Sequence, residues 1–190
     1  MNAPQKTTYT PEEYLAIDRS AEHKSEFWDG QIMAMSGAQQ EHLEIVRNIS
    51  GHFFSRLKKG CSAYTNDTRI HIPVSGSYTY PDIAVIRGNK ETTADSFDTF
   101  TNPILLVEVL SPSTEANDRS AKLLRYLSIA SLREYLLVNS RTLEVVLYTK
   151  DPESGRWYVT TAEQLTDVVR LPSVDCNLTL AEMYQGVELA

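Results

Sequence analysis

Cysteine is scarce in this sequence: among 190 residues it occurs only at positions 61 and 176. The two lie far apart in unlike contexts, which excludes a disulfide framework or a zinc knuckle and leaves two plain structural thiols. Apolar runs long enough to cross a bilayer are missing, and residues 1–6 lack the apolar core of a signal peptide. The expectation is therefore a soluble, cytoplasmic protein with no membrane partner. Positive charge is also in deficit, with 18 Lys and Arg against 25 Asp and Glu and a formal net charge of -7. That balance argues against a broad basic face gripping nucleic acid. It leaves room for a local acidic site that gathers a divalent cation. The chain has no repeat or low-complexity segment, and 42% hydrophobic with 23% charged residues is ordinary globular material. It reads as one domain over residues 1–190 with a sizeable core, ending in a C-terminal β meander over 151–190.

What the chain does contain is an apolar run built around one carboxylate. In Asn102-Pro-Ile-Leu-Leu-Val-Glu-Val-Leu-Ser-Pro112, Glu108 stands among aliphatic residues in the pattern of a strand buried on both faces. An unpaired carboxylate there is costly, so the sequence must supply a cationic side chain or a metal ion. Lys122 and Arg125 on the following helix are candidate cations. Asp82, after Tyr80-Pro81 at the opening of an earlier strand, is a candidate co-ligand.

Before this run, Thr10-Pro11 followed by Glu12 and Glu13 has the form of a capped helix start. Asp29-Gly30 between two strand-like runs predicts a hairpin, with Glu26 and Trp28 on one side and Phe27 on the other. Residues 38–59 read as the longest helix, burying Leu43, Val46, Ile49, Phe53 and Leu57; His42 near its start reads as a packed or surface histidine in preference to a site residue. Residues 63–73 read as a strand, 74–78 as a turn, 80–87 as a strand and 88–102 as a polar loop. A base-stacking role is open to Tyr78 or Tyr80, but no regular aromatic pattern supports it.

After Glu108, residues 111–118 are dense in turn and capping types, and Asp118 reads as a helix cap. The helix from there to about residue 130 would turn Leu123, Leu127 and Ala130 inward, with Lys122, Arg125 and Tyr126 on other faces. Residues 134–139 form a second buried strand, and short strands at 144–148, 157–161 and 168–171 close the chain. The class is α/β (α+β mixed sheet), a central mixed sheet flanked by helices, with a parallel pair where the second helix joins two buried strands.

A carboxylate opening one strand, another within the next and a lysine on the next helix are the parts of a metal-dependent phosphodiesterase. Hard cations such as Mg2+ take oxygen ligands, here Asp82, Glu108 and the carbonyl of Val109. Such an ion lowers the pKa of a bound water and neutralises charge on the phosphate, while a lysine can orient the nucleophile.

At these residues the chain resembles a known family. The segments Tyr80-Pro-Asp-Ile-Ala-Val, Leu106-Val-Glu-Val-Leu-Ser-Pro-Ser-Thr114, Asn117-Asp-Arg119 through Lys122, Tyr126 and Glu134-Tyr-Leu-Leu-Val, with Glu26-Phe-Trp-Asp-Gly-Gln-Ile and residues 35–42 upstream, resemble the Uma family of restriction endonucleases. That family belongs to the PD-(D/E)XK nuclease superfamily. The resemblance covers roughly residues 9–150. It implies a restriction-endonuclease-like core in which Asp82 and Glu108 bind Mg2+ (or Mn2+) and Glu26 adds an acidic group from the hairpin. The superfamily's usual lysine position is Leu110 here, and Lys122 on the next helix takes its place. The function implied is a Mg2+-dependent endonuclease acting on DNA as a homodimer, with residues 157–171 as the interface. The alternative is a nuclease-fold binding or regulatory module that no longer cleaves.

Overall fold

The computed structural model of the chain describes residues 8–35, 37–65, 67–94 and 98–189. The expectation about residues 1–6 lies outside them. No helix among the described residues is long and apolar enough to cross a membrane.

The chain opens with α1 (Pro11–Ser20), started by a capping box: Thr10 accepts the Glu13 N–H and the Glu13 carboxylate accepts the Thr10 N–H. Strands β1 (Ser25–Trp28) and β2 (Gln31–Ala34) form the expected hairpin. Asp29 and Gly30 turn it with φ of 50° and 81°, both left-handed, as a two-residue hairpin loop requires. Helix α2 (Gln40–Arg56) follows, then β3 (Cys61–Thr65), β4 (Arg69–Ile72), β5 (Ser77–Thr79), β6 (Ile83–Arg87), β7 (Thr99–Phe100) and β8 (Pro103–Leu110). Two short helices, α3 (Glu115–Asp118) and α4 (Ala121–Leu127), lead to β9 (Glu134–Asn139), β10 (Val145–Lys150) and β11 (Trp157–Ala162). Strands β12 (Val168–Leu171) and β13 (Cys176–Thr179) and helix α5 (Leu180–Met183) end the described chain.

A six-stranded sheet in the order β11-β10-β9-β8-β6-β3 carries the architecture. Its β8 and β9 run parallel, joined through α4 as the sequence predicts, and its other pairs are antiparallel. One face of this sheet (Val85, Leu105, Val107, Val109, Val138) packs on Ile45, Ile49 and Phe53 of α2 and on the β12, β13 and α5 residues Val169, Leu178 and Met183. The other face (Ala84, Leu106, Leu110, Leu137) packs on α4 and on a second sheet, ordered β2-β1-β5-β4-β7, through Tyr126, Trp28, Ile70 and Ile72. Strand alternation points Glu108 to this second face, between Leu106 and Leu110.

Several elements differ from the sequence reading. Residues 63–73 are two strands in different sheets, broken at the polar Asp67-Thr68 turn. The expected turn at 74–78 already includes β5, whose Ser77 and Thr79 are buried despite their polarity because both flanking strands pair with it. The loop at 88–102 contains the short β7. On α2 the inward stripe is Ile45, Ile49 and Phe53, while Leu43 is 52% exposed. Helix α4 is shorter than expected and turns Lys122 and Tyr126 inward, leaving Leu124 exposed. Its inner face is polar because it closes over carboxylates rather than over the core alone.

Truncating Ile49, fully buried against the central sheet, to alanine should lower the unfolding free energy by about 2–5 kcal/mol in urea titrations. Leu43→Ala, on the exposed side of the same helix, should stay within about 0.5 kcal/mol of wild type.

Candidate active site

Three elements place the candidate residues together. In the antiparallel β6–β8 ladder Ile83 faces Val107, so Asp82, one residue before β6, arrives beside Glu108. Pro81, which has no N–H to give a ladder, precedes Asp82 at the strand's opening. The Asp82 N–H donates to Glu108 Oε2 at 3.4 Å, and the Val109 N–H donates to Asp82 Oδ2 at 2.7 Å. Leu110 turns its carbonyl toward Ser140 on the β9 side, so alternation turns the Val109 carbonyl to the opposite edge, where Asp82 lies.

Lys122, in the first turn of α4, reaches back into this group. Its Nζ lies 2.9 Å from Glu108 Oε1, 3.0 Å from Glu26 Oε1 and 3.6 Å from Asp118 Oδ1. Glu26 enters from β1, where its carboxylate accepts hydrogen bonds from Trp28 Nε1 at 3.1 Å, from the Tyr80 N–H at 3.2 Å and from the Thr79 hydroxyl. The Tyr126 hydroxyl donates to Glu108 Oε1 at 2.8 Å. Arg125, the other candidate partner for Glu108, instead pairs with Asp29 and lies over the Trp28 ring. Glu26, Asp82, Glu108, Asp118 and Lys122 line a cavity of about 390 Å3, together with Met33, Met35, Ser111, Ser113, Thr114 and Asn117.

The electrostatics follow from one ammonium shared among several acids. Burial, with Asp118, Asp82 and Glu26 nearby, raises the Glu108 pKa well above the usual glutamate range even though Lys122 opposes the shift. Asp118 is raised as well, chiefly by burial. For Glu26, burial also disfavours the charge, but Lys122 and its hydrogen-bond donors prevail and hold its carboxyl below the ordinary value. Lys122 loses hydration, yet Glu108, Glu26 and Asp118 outweigh that and raise its pKa well above the usual lysine range.

Two residues were undervalued from sequence. His42 sits with Asp82, its Nε2 3.1 Å from Oδ2, so it is neither a surface residue nor a purely packed one. The signal was its place on the buried Ile45-Ile49 stripe of α2. Asp118 caps no helix: it ends α3, is buried and faces Lys122 four residues on, a spacing visible in the sequence. Tyr78 packs against Tyr14 and Phe27, while the Tyr80 hydroxyl bonds Asp18 and Arg69, so both rings are buried framework.

The donor set fits a hard divalent cation. Asp82 and Glu108 offer carboxylate oxygens on one rim of the cavity, and Glu26, Asp82, Glu108 and Asp118 outnumber the single buried lysine among them. No cluster of three or more His, Cys, Asp or Glu side chains arranged to hold a metal occurs among the described residues. Mg2+ needs no such cage, since it is usually held by one or two carboxylates with water and substrate phosphate.

Comparison with known proteins accords with this arrangement. The Uma2 family, described as "Putative restriction endonuclease", matches residues 11–182. The chain belongs to the Uma2 family. Two uncharacterized proteins of Synechocystis sp. are similar to it. One, slr1290, is 36% identical over 94% of this chain and 92% of its own length. The other, sll1609, is 35% identical over 74% of this chain and 80% of its own. A crystal structure from Anabaena variabilis, titled a "putative nuclease belonging to DUF820", shares the fold with a TM-score of 0.75 at 18% identity, over 94% of this chain and 99% of that one. The Uma2 chain thus has a nuclease-like mixed α/β fold.

Removing the ammonium should be far more damaging than removing one acid. Lys122→Met leaves buried carboxylates uncompensated and should destabilise the Uma2 protein by about 3–5 kcal/mol at pH 7, read by urea unfolding. Glu108→Gln should behave oppositely. Folding raises the Glu108 pKa, so the stability linked to its proton is fully present below the ordinary glutamate range and is lost as pH rises through the folded value. The glutamine variant should therefore match wild type near pH 4 and melt higher than it at pH 8 without added metal. A wild-type advantage at pH 8 would contradict this.

Proposed function

We propose that this Uma2 protein is a metal-dependent endonuclease that hydrolyses DNA phosphodiester bonds. The observation that carries the reading is the convergence of Asp82, Glu108 and Lys122 from separate elements on one cavity, with more buried negative charge than one lysine neutralises. Asp82, Glu108 and the Val109 carbonyl would hold Mg2+ or Mn2+. When bound, the ion supplies Lewis-acid stabilisation of the phosphate and makes water more acidic.

The chain's own residues do the remainder. Lys122, fixed between Glu108 and Glu26, directs a positive charge toward charge building on the reacting phosphate. Glu26 and the Tyr126 hydroxyl hold that lysine and Glu108 in place, so neither swings into solvent. The hydroxyl and amide groups of Ser113 and Asn117, which also line the cavity, are suited to phosphate oxygens, and Met33 and Met35 add apolar lining. A homodimer that cuts both strands is part of the reading. It is supported by β11 at the open edge of the central sheet, where Tyr158 and Val159 are exposed.

The test is cleavage of plasmid and linear DNA with Mg2+ or Mn2+ and with EDTA. Wild type should cut only with metal, and Asp82→Ala and Glu108→Ala, folded by circular dichroism, should lose at least about a hundredfold in rate. Cleavage that survives either substitution contradicts the assignment. Metal binding without cleavage would instead favour the non-cleaving module, for which the lack of a second lining cation among the described residues speaks.

A further inference from the structure

Resting on the metal site just proposed, we infer that His42 is its positioning residue, fixing which oxygen of Asp82 faces the cation. The Asp82 carboxylate has two unequal oxygens. Oδ2 accepts from the Val109 N–H at 2.7 Å and from His42 Nε2 at 3.1 Å, whereas Oδ1 carries no hydrogen bond from the described residues. Two donors on one oxygen lock the carboxylate torsion and leave Oδ1 as the ligand atom. The Val109 donor alone would still let the carboxylate rock about its single hydrogen bond. The second donor, from a different element, removes that freedom.

The imidazole itself shows what it is for. A carboxylate only accepts, so Nε2 carries the hydrogen in this contact. The other ring nitrogen, Nδ1, is buried with no hydrogen-bond partner among the described residues. A side chain kept only to fill space would be apolar at this point, because an unpaired buried nitrogen is unfavourable. Among the described residues Asp82 is therefore the one polar group His42 serves, and the side chain lines the same cavity as Asp82 and Glu108 at 12% exposure. Helix α2 is tied by this contact to the rim of the site, while Ile45 and Ile49 anchor the same helix in the core.

The test is Mn2+ binding by calorimetry to wild type, His42→Leu and His42→Gln, with thermal melts of each. Glutamine places an amide N–H where imidazole Nε2 donates; leucine fills the space without a donor. His42→Leu should keep its melting temperature but bind Mn2+ roughly ten- to a hundredfold more weakly, the usual effect of losing a group that orients a ligand, and His42→Gln should recover affinity close to wild type. If wild type binds and His42→Leu binds equally well, the positioning role is wrong and the metal site stands. Equal weakening in the leucine and glutamine variants also overturns it, since the restored donor would then be irrelevant. If wild type itself binds no Mn2+, the metal site fails and this role fails with it.

Discussion

The structure depends on one ammonium placed where several carboxylates meet. Lys122 lies within 3.0 Å of both Glu26 and Glu108 and close to Asp118, in a region nearly closed to water. A buried ion pair gives little net stability, but removing its cation strands charge that the interior cannot solvate. The geometry of α4, the hairpin and β8 is therefore mutually enforced. Lys122 of α4 is held by one acid from each of the other two elements, Glu26 and Glu108. Burial and the neighbouring acids raise the Glu108 pKa even with Lys122 beside it, so the group carries more acid than its one lysine offsets.

The scaffold around this point is rigid for ordinary reasons. Glu108 lies on β8, which is buried at every position but Ile104 and is flanked by β6 and β9. Behind the hairpin, Arg69 joins Asp18 at 2.7 Å and Tyr80 at 2.8 Å, a buried cluster that ties α1 and β4 to the segment leading into Pro81 and Asp82. This second polar cluster is balanced in charge, unlike the first: Arg69 meets Asp18 and Asp98, Arg19 also meets Asp98, and the acid at its centre, Asp18, keeps a lowered pKa through the hydrogen bonds of Tyr80, Ser25 and Arg69 despite its burial. One cluster is framework and saturated, the other is acidic and opens on a cavity.

Much of this was legible from residues alone. Glu108 in an aliphatic run declared both the central strand and its need for a partner, and Asp29-Gly30 and Thr10-Pro11 declared the hairpin and the helix start. The parallel β8–β9 pair followed from one helix between two buried strands. Other features were hidden because they depend on long-range contacts. Ser77 and Thr79 look like turn residues until two strands flank them, and Tyr126 looks outward until Glu108 supplies a partner for its hydroxyl. His42 is the instructive case, since its place on an apolar stripe was visible but the facing residue, Asp82, arrives from 40 residues away.

The most direct measurement is thermal melting of wild type and Asp82→Ala at pH 8 over a Mn2+ titration. A ligand that binds only the folded state raises the melting temperature with its concentration, by about 2.7 kcal/mol of stabilisation at a hundred times Kd. The account predicts a saturable rise for wild type and none for Asp82→Ala. A flat wild-type curve, or the same rise in both proteins, would contradict the claim that these carboxylates form a cation site.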